Sequence, residues 1–406
     1  MATIRGIDDN SWPACSFEVE SWQQISRGGT KEDRTLTQIT VALPPFIAEL
    51  DVPLTASLMT QMEGALAEIT ALDANAGQSL ASLGLLLLRT ESVASSKIEL
   101  VEASVQDFAR ALHGDKSNES AVSMVSATKA LASMIDDSSE AKPIKVSSLL
   151  NAHKTLMQFD VSEKKYAGKF REVQNWIGGS NYSPLNTLFI PPPPERVSAL
   201  MTDLMKFCNR DDLPALVQAT IAHAQFETIH PFTDGNGRIG RALINAVLRR
   251  RGITEHVVLP LATALVAQRQ TYFDVLDSYR RGDVSSLLSA FAHSARIAAR
   301  QSHVTARNLE FIFSQWKVFE SEFRSDSATY RLFAKLSEMP IFSVDDAIEV
   351  LDIAPSSVYV AIENLYRRGV IDPLTSRKRN QIWGATAILD EIEDLSSRTA
   401  IAMTHH

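Results

Sequence analysis

The sequence predicts a mainly α-helical chain that carries one short extended element in its middle and ends in a small winged helix-turn-helix domain. Three observations lead there. Apolar residues recur at helical spacing through most of residues 54–300. Inside that span, residues 178–194 are dominated by Gly, Asn, Ser and Pro, which favour a loop or small hairpin. From Ala334 the pattern shortens to two brief helices followed by an alternating segment.

At 406 residues, the chain is long enough for two or three domains with developed cores. A net charge of -8 argues against non-specific nucleic-acid binding by the whole chain, while leaving room for a small basic module. Cys15 and Cys208 lie far apart and form no metal-ligand spacing. They read as reduced thiols, a single disulfide between them being the other option. The start of the chain has no apolar core for a secretory signal, and the longest apolar run, Leu83 to Leu88, cannot span a bilayer. The expectation is a cytoplasmic protein with no membrane contact.

Residues 1–41 read as an arm with Trp12 and Trp22, a turn at Gly28-Gly29, and a short strand around Thr35–Leu43 that Pro44-Pro45 ends. Leu58, Met62, Leu66, Ile69 and Leu72 then line one face of a helix. After a break at Asp73 to Gly77, a second helical segment is expected from about Gln78 to Leu112. Val122 to Ile135 is another amphipathic helix, and Val146, Leu149, Leu150, His153 and Met157 mark the next. Gly168 to Gly179 leads into the hairpin region, which closes on Pro191 to Pro194 in polyproline geometry. Helices are expected at about 195–208, 213–229, 266–281 and 284–300, with a connecting helix over 301–330.

Val344, Ala347, Val350 and Leu351 form the first short helix of the last domain, residues 331–397. A turn at Ile353 to Ser357 with a serine cap precedes the second, built on Val358, Ala361, Ile362 and Leu365 and ended by Gly369. Val370 to Trp383 alternates like a hairpin with a basic tip, Ser376 to Asn380, which supplies the wing. Residues 398–406 read as a frayed tail.

The chemistry concentrates in one run, His230-Pro231-Phe232-Thr233-Asp234-Gly235-Asn236-Gly237-Arg238-Ile239-Gly240-Arg241. Apolar periodicity on both sides makes it helix, Gly-rich loop, helix. Such a loop leaves backbone N–H groups at a helix N-terminus, where they attract phosphate oxygens. His230 can take a proton near neutral pH. Asp234 offers hard oxygens to Mg2+. Gly235 and Gly237 let phosphates approach the backbone, and Asn236 adds a side-chain donor. Arg238 and Arg241, three apart, present forks suited to a polyphosphate. Phe232 has no polar task and anchors the loop. Packing alone does not ask for a base, a carboxylate and two arginines together.

This run resembles the hallmark of the Fic family, His-x-Phe-x-Asp/Glu-Gly-Asn-Gly-Arg-x-x-Arg, at every specified position. Gln225 to Ile229 and Phe189 to Pro194 are similar to its flanking segments, and the resemblance covers most of residues 42–300. It implies an N-terminal helical region over 42–120 and a Fic-type catalytic domain over 121–300, with the hairpin as a flap. The implied reaction moves AMP from ATP to a Ser, Thr or Tyr hydroxyl of a target protein or of the chain itself, with release of pyrophosphate. His230 would be the base and Asp234 the Mg2+ ligand. Gly235, Asn236 and Gly237 would bind the inner phosphates, and Arg238 and Arg241 the outer ones. Gln225 would belong to the nucleotide site, and Gln268 would lie near the adenine. Gln268 and Phe273 depart from the family segment, which begins with Asn and carries two tyrosines. The flap, Gly178 to Phe189, would align the target as an added strand.

Ser95 and Glu99, at i and i+4, resemble the family's inhibitory motif Ser/Thr-x-x-x-Glu-Gly/Asn. The resemblance implies that Glu99 pairs with Arg241 and holds it from the γ-phosphate. Leu100 stands where the family has Gly or Asn, and leucine can continue a helix. Two other readings remain: removal of AMP with Glu99 orienting water, and a nucleotide-sensing regulator that binds DNA through the winged helix. A homodimer is a further partner option.

Overall fold

A computed structural model describes residues 11–24, 27–75, 80–139, 141–320, 322–375 and 381–404. The elements begin with β1 (Ser16–Ser21), α1 (Lys31–Thr35), β2 (Gln38–Leu43), α2 (Ala56–Asn75), α3 (Leu80–Ile98) and α4 (Val105–Leu112). Next come α5 (Glu119–Asp136), α6 (Val146–Met157), α7 (Pro194–Cys208), α8 (Ala215–Ile229) and α9 (Asn236–Arg250). Then follow α10 (Leu261–Ala267), α11 (Arg269–Arg280) and α12 (Val284–Glu320). The chain ends with α13 (Ala328–Lys335), β3 (Ile341–Ser343), α14 (Val344–Leu351), α15 (Pro355–Arg367), β4 (Asp372–Pro373), β5 (Ile382–Gly384) and α16 (Thr386–Thr404). The mainly helical class expected from the sequence is what the chain adopts.

The chain divides into two compact units, each drawn from three stretches of sequence. The first takes residues up to Gly64, Ser133–Ile253 and Arg269–His293; the second takes Ala65–Ala132, Thr254–Gln268 and Ser294 onward.

The first unit is built around α8, buried at every one of its 15 positions. A helix buried all round belongs at the centre of a bundle, and α7, α9 and α11 pack against it. The arm contributes an antiparallel pair, β1 with β2, in which Ser16 lies opposite Leu43. Only β2 is expected from the sequence. β1 leaves Phe17 and Val19 exposed beside glutamates, so burial does not mark it. Both cysteines are free and buried, and burial pushes the Cys15 thiol up to about 11.

The second unit packs its own core from Leu83, Trp316, Leu332, Phe342, Leu365 and Ile388, among others. Its three-stranded antiparallel sheet has the order β3-β5-β4. The basic tip expected at residues 376–380 lies outside the described residues.

Several boundaries differ from the sequence expectation. The single helix expected over Gln78 to Leu112 is two, α3 and α4. The helix expected at 266–281 divides at Gln268, whose φ of -125° and ψ of 50° leave the helical region without any Gly or Pro to announce it. The helix expected at 284–300 and its connecting helix are one, α12, because no Gly or Pro interrupts residues 284–320. Of the tail expected over 398–406, the described residues, up to Thr404, belong to α16, in which Met403 is 2% exposed. That helix hides its inward stripe behind polar residues. Glu391 is buried and accepts from Thr305 Oγ1 at 2.7 Å, Asn308 Nδ2 at 2.9 Å and Arg398 Nη2 at 2.6 Å. Among the described residues, no helix is long and apolar enough to cross a membrane.

Candidate active site

His230 is the C-cap of α8, in the left-handed conformation at φ 50°, ψ 61°. A non-glycine residue there costs roughly 1–2 kcal/mol, so its neighbours must hold it. The main one is Arg171, only 3% exposed. Its Nε donates to the His230 carbonyl at 2.9 Å and its Nη1 to that of Val173 at 3.2 Å. Its Nη2 reaches the carbonyls of Pro192 and Ile229, and its backbone N–H donates to Pro231 O at 2.9 Å. Burial lowers its pKa to about 10, so it stays charged at neutral pH. Arg171 is a positioning residue, gathering carbonyls from both sides of the histidine.

The next residues are clamped in turn. Phe232 is fully buried and stacks on His153, with ring centroids 3.8 Å apart and planes 5° from parallel. Phe232 N–H donates to Asn236 Oδ1, and Asn236 Nδ2 donates back to Phe232 O, both at 2.8 Å. Asn175 Nδ2 reaches the same carbonyl at 2.8 Å. Asn236 is 2% exposed, so its amide serves first to lock the loop. His153 Nδ1 accepts from Gly168 N–H at 3.0 Å, which places the proton on Nε2, 3.1 Å from the Asp234 carbonyl. Burial lowers the pKa of His153 to about 4, so the ring is neutral.

Gly235 is the N-cap of α9 at φ 77°, and a Cβ there would lie 2.9 Å from Leu156 Cδ2. Both facts require glycine. The start of α9 therefore carries the first-turn amides that favour an anion. Arg238 and Arg241 add two guanidiniums, 8% and 1% exposed. Arg241 Nη1 donates to Tyr272 Oη at 3.3 Å, and that oxygen is 3.0 Å from His223 Nε2. Asp234 is more open, its side chain 56% exposed. Its Oδ1 accepts from Gly235 N–H at 2.6 Å, and its Oδ2 lies 3.7 Å from Arg238 Nη2.

Glu227, one turn before His230, brings Oε2 to 4.0 Å from His230 Nδ1. That is too long for a hydrogen bond, but it sets a carboxylate beside the ring. A Cβ on Gly240 would collide with Glu227 Oε1 and lie 2.9 Å from Phe226 Cδ1, so this glycine lets α9 approach α8.

The loop thus unites a partly exposed imidazole, a helix N-terminus, two buried guanidiniums and one open carboxylate. Among the described residues no three His, Cys, Asp or Glu groups gather to cage a metal ion. One carboxylate suits a Mg2+ whose remaining ligands are phosphates and water, and does not suit an all-protein site.

Other residues singled out in the sequence take different places. Gln225 is fully buried, with Nε2 donating to Pro45 O at 2.7 Å and Oε1 accepting from Tyr279 Oη at 2.8 Å. Its amide ties the core together. Gln268 caps α10 and donates from Nε2 to Met403 O of α16 at 2.6 Å. The flap is pinched by a single bridge between Ile177 and Phe189, and Leu188 beside it is 83% exposed.

Ser95 is buried in α3, while Glu99 is exposed just beyond the helix end. Leu100 does not continue the helix but takes φ 61°. Val101 N–H donates to Ser96 O and Leu100 N–H to Lys97 O, both at 3.0 Å. These two bonds make a Schellman cap with Glu99 as the cap residue and Leu100 in the left-handed position that glycine usually fills. Sequence reasoning missed Arg171, His153 and Glu227 as working residues. Only Glu227, inside the quoted lead-in segment, carried a signal.

Comparison with known proteins fits this geometry. Residues 143–248 match the family model described as Fic/DOC family. The protein adenylyltransferase fic-1 of Caenorhabditis briggsae is 31% identical over 150 residues, covering 36% of this chain and 26% of that protein. The protein adenylyltransferase Fic of Drosophila erecta is 32% identical over 145 residues, covering 35% and 26%. The chain thus spans about a quarter of the length of these curated relatives. A crystal structure of a Fic family protein from Desulfovibrio desulfuricans shares the fold at a TM-score of 0.50 and 21% identity, over 82% of this chain and 96% of that one. The loop from His230 to Arg241 lies within residues 143–248, and that part of the chain is similar to the Fic/DOC family.

Proposed function

We propose that the chain is a protein adenylyltransferase that moves AMP from ATP to a Ser, Thr or Tyr hydroxyl of a target protein or of itself. The observation that carries this reading is His230, held by Arg171 in a strained cap, beside the N-terminus of α9 with Arg238 and Arg241. The names of the relatives, matched over about a quarter of their length, support it.

In this reading the target hydroxyl gives its proton to His230 as its oxygen bonds to the α-phosphorus. The bond from that phosphorus to the bridging oxygen of the β-phosphate breaks, and pyrophosphate leaves. Glu227 steadies the imidazolium. The amides that open α9 and the two guanidiniums face the phosphate charge. Asp234 would hold Mg2+, which when bound neutralises charge on the phosphates. The flap over 178–189 offers backbone groups to an extended target segment. Glu99 restrains the transfer through Arg241, following the motif it forms with Ser95. Residues 331–397 are assigned to a winged helix on the order of their elements.

His230→Ala tests the role of the base. Transfer should fall by at least about a hundredfold, while calorimetry shows ATP still bound. Transfer at the parent rate would remove His230 from that role.

A further inference from the structure

Within the second unit a cavity of about 420 Å³ lies among α3, the start of α4, β3 and α16. Its walls are mostly apolar, with Val93, Phe108, Met124, Ile341, Leu389 and Ile392. That volume and character suit a small organic ligand. Arg89, Val93 and Lys97 line it at successive i+4 steps of α3, so one stripe of that helix forms a wall.

Arg89 is the unusual member. Its Nη1 is buried with no hydrogen-bond partner. Burial lowers the pKa to about 10, and the group stays charged at neutral pH. A buried guanidinium donor without an acceptor is costly, and proteins rarely retain one without use. The charged lining residues are Arg89, Lys97 and Glu393, two positive and one negative, leaving one net positive charge. Ser104, Ser396 and Ser397 add hydroxyls.

We infer that this cavity binds an amphipathic monoanion, an aliphatic carboxylate whose head meets Arg89 and whose chain fills the apolar wall. One net positive charge matches one carboxylate, and the apolar lining excludes a small hydrophilic ion. The ligand rests on the helix that carries Ser95 and leads to Glu99. Its bearing on the restraint of transfer depends on the proposed function, whereas binding itself does not.

The full chain titrated with decanoate in a calorimeter gives the test, read without any activity assay. Decanoate should bind at one site, and decanol, with the same chain and no charge, at least tenfold more weakly. Arg89→Met removes the unpaired charge at similar volume and should keep the fold, yet weaken decanoate at least tenfold. Ala103→Phe keeps Arg89 and fills the cavity from the loop before α4; it should abolish binding. Absence of decanoate binding to the parent chain, equal affinity for decanol, or undiminished affinity in either variant would overturn the inference.

Discussion

His230 shows how a side chain proposed as the base is aimed by residues far from it in sequence. Its type and place were legible, because base, carboxylate, glycines and arginines sit within twelve consecutive residues. Its support was not. Arg171 lies 59 positions upstream and acts through carbonyls, which no residue pattern records. Asn236 reads as a phosphate donor by type, yet its amide is bonded to Phe232. The buried histidines lead to a pH prediction. Burial lowers His153 to about 4 and His223 to about 3, against about 6.5 when unfolded. The unfolded chain therefore binds more protons below pH 6.5, and their stability contribution, fully present above that pH, is lost toward pH 4. Each adds a slope approaching about 1.4 kcal/mol per pH unit. Urea midpoints should fall between pH 6.5 and 5; midpoints flat over that range would contradict the assignment.

At the scale of elements, the helices were legible wherever apolar spacing or a Gly or Pro marked them. Helices α6, α7 and α8 lie close to where periodicity placed them. The end of α3 was not legible, since leucine is a poor left-handed residue and nothing else in the sequence stops the helix there. The Schellman bonds impose the turn, and Leu100, 74% exposed, bears the strain. The Gly or Asn that related motifs place after the glutamate has a physical reason in this cap. Leu100→Gly relieves the left-handed penalty without losing buried contacts, and should stabilise the chain by about 1 kcal/mol. Thermal unfolding reads it, and an unchanged or lowered midpoint would show that the cap is not strained. At α16 the apolar period was diluted by Glu391 and Thr399, both buried, so its last turns read as a tail.

For the whole molecule, each unit is assembled from three separated stretches, and helices α2, α5 and α12 contribute residues to both. Boundaries drawn along the sequence cannot capture such interleaving, because composition changes little where a helix passes from one unit to the other. The resemblance to the Fic family was legible nonetheless, since its loop is local and its residues are chemically distinctive. The proposed activity follows from that loop, and Glu99 is the residue proposed to hold it in check. The central claim is that the group transferred is AMP and that His230 serves the transfer. The Glu99→Gly chain, incubated with Mg2+ and ATP labelled at either the α- or the γ-phosphorus, tests both. The account predicts that protein retains the α label and no γ label, and that adding His230→Ala removes the signal. Retention of the γ label, or of the α label without His230, would contradict it.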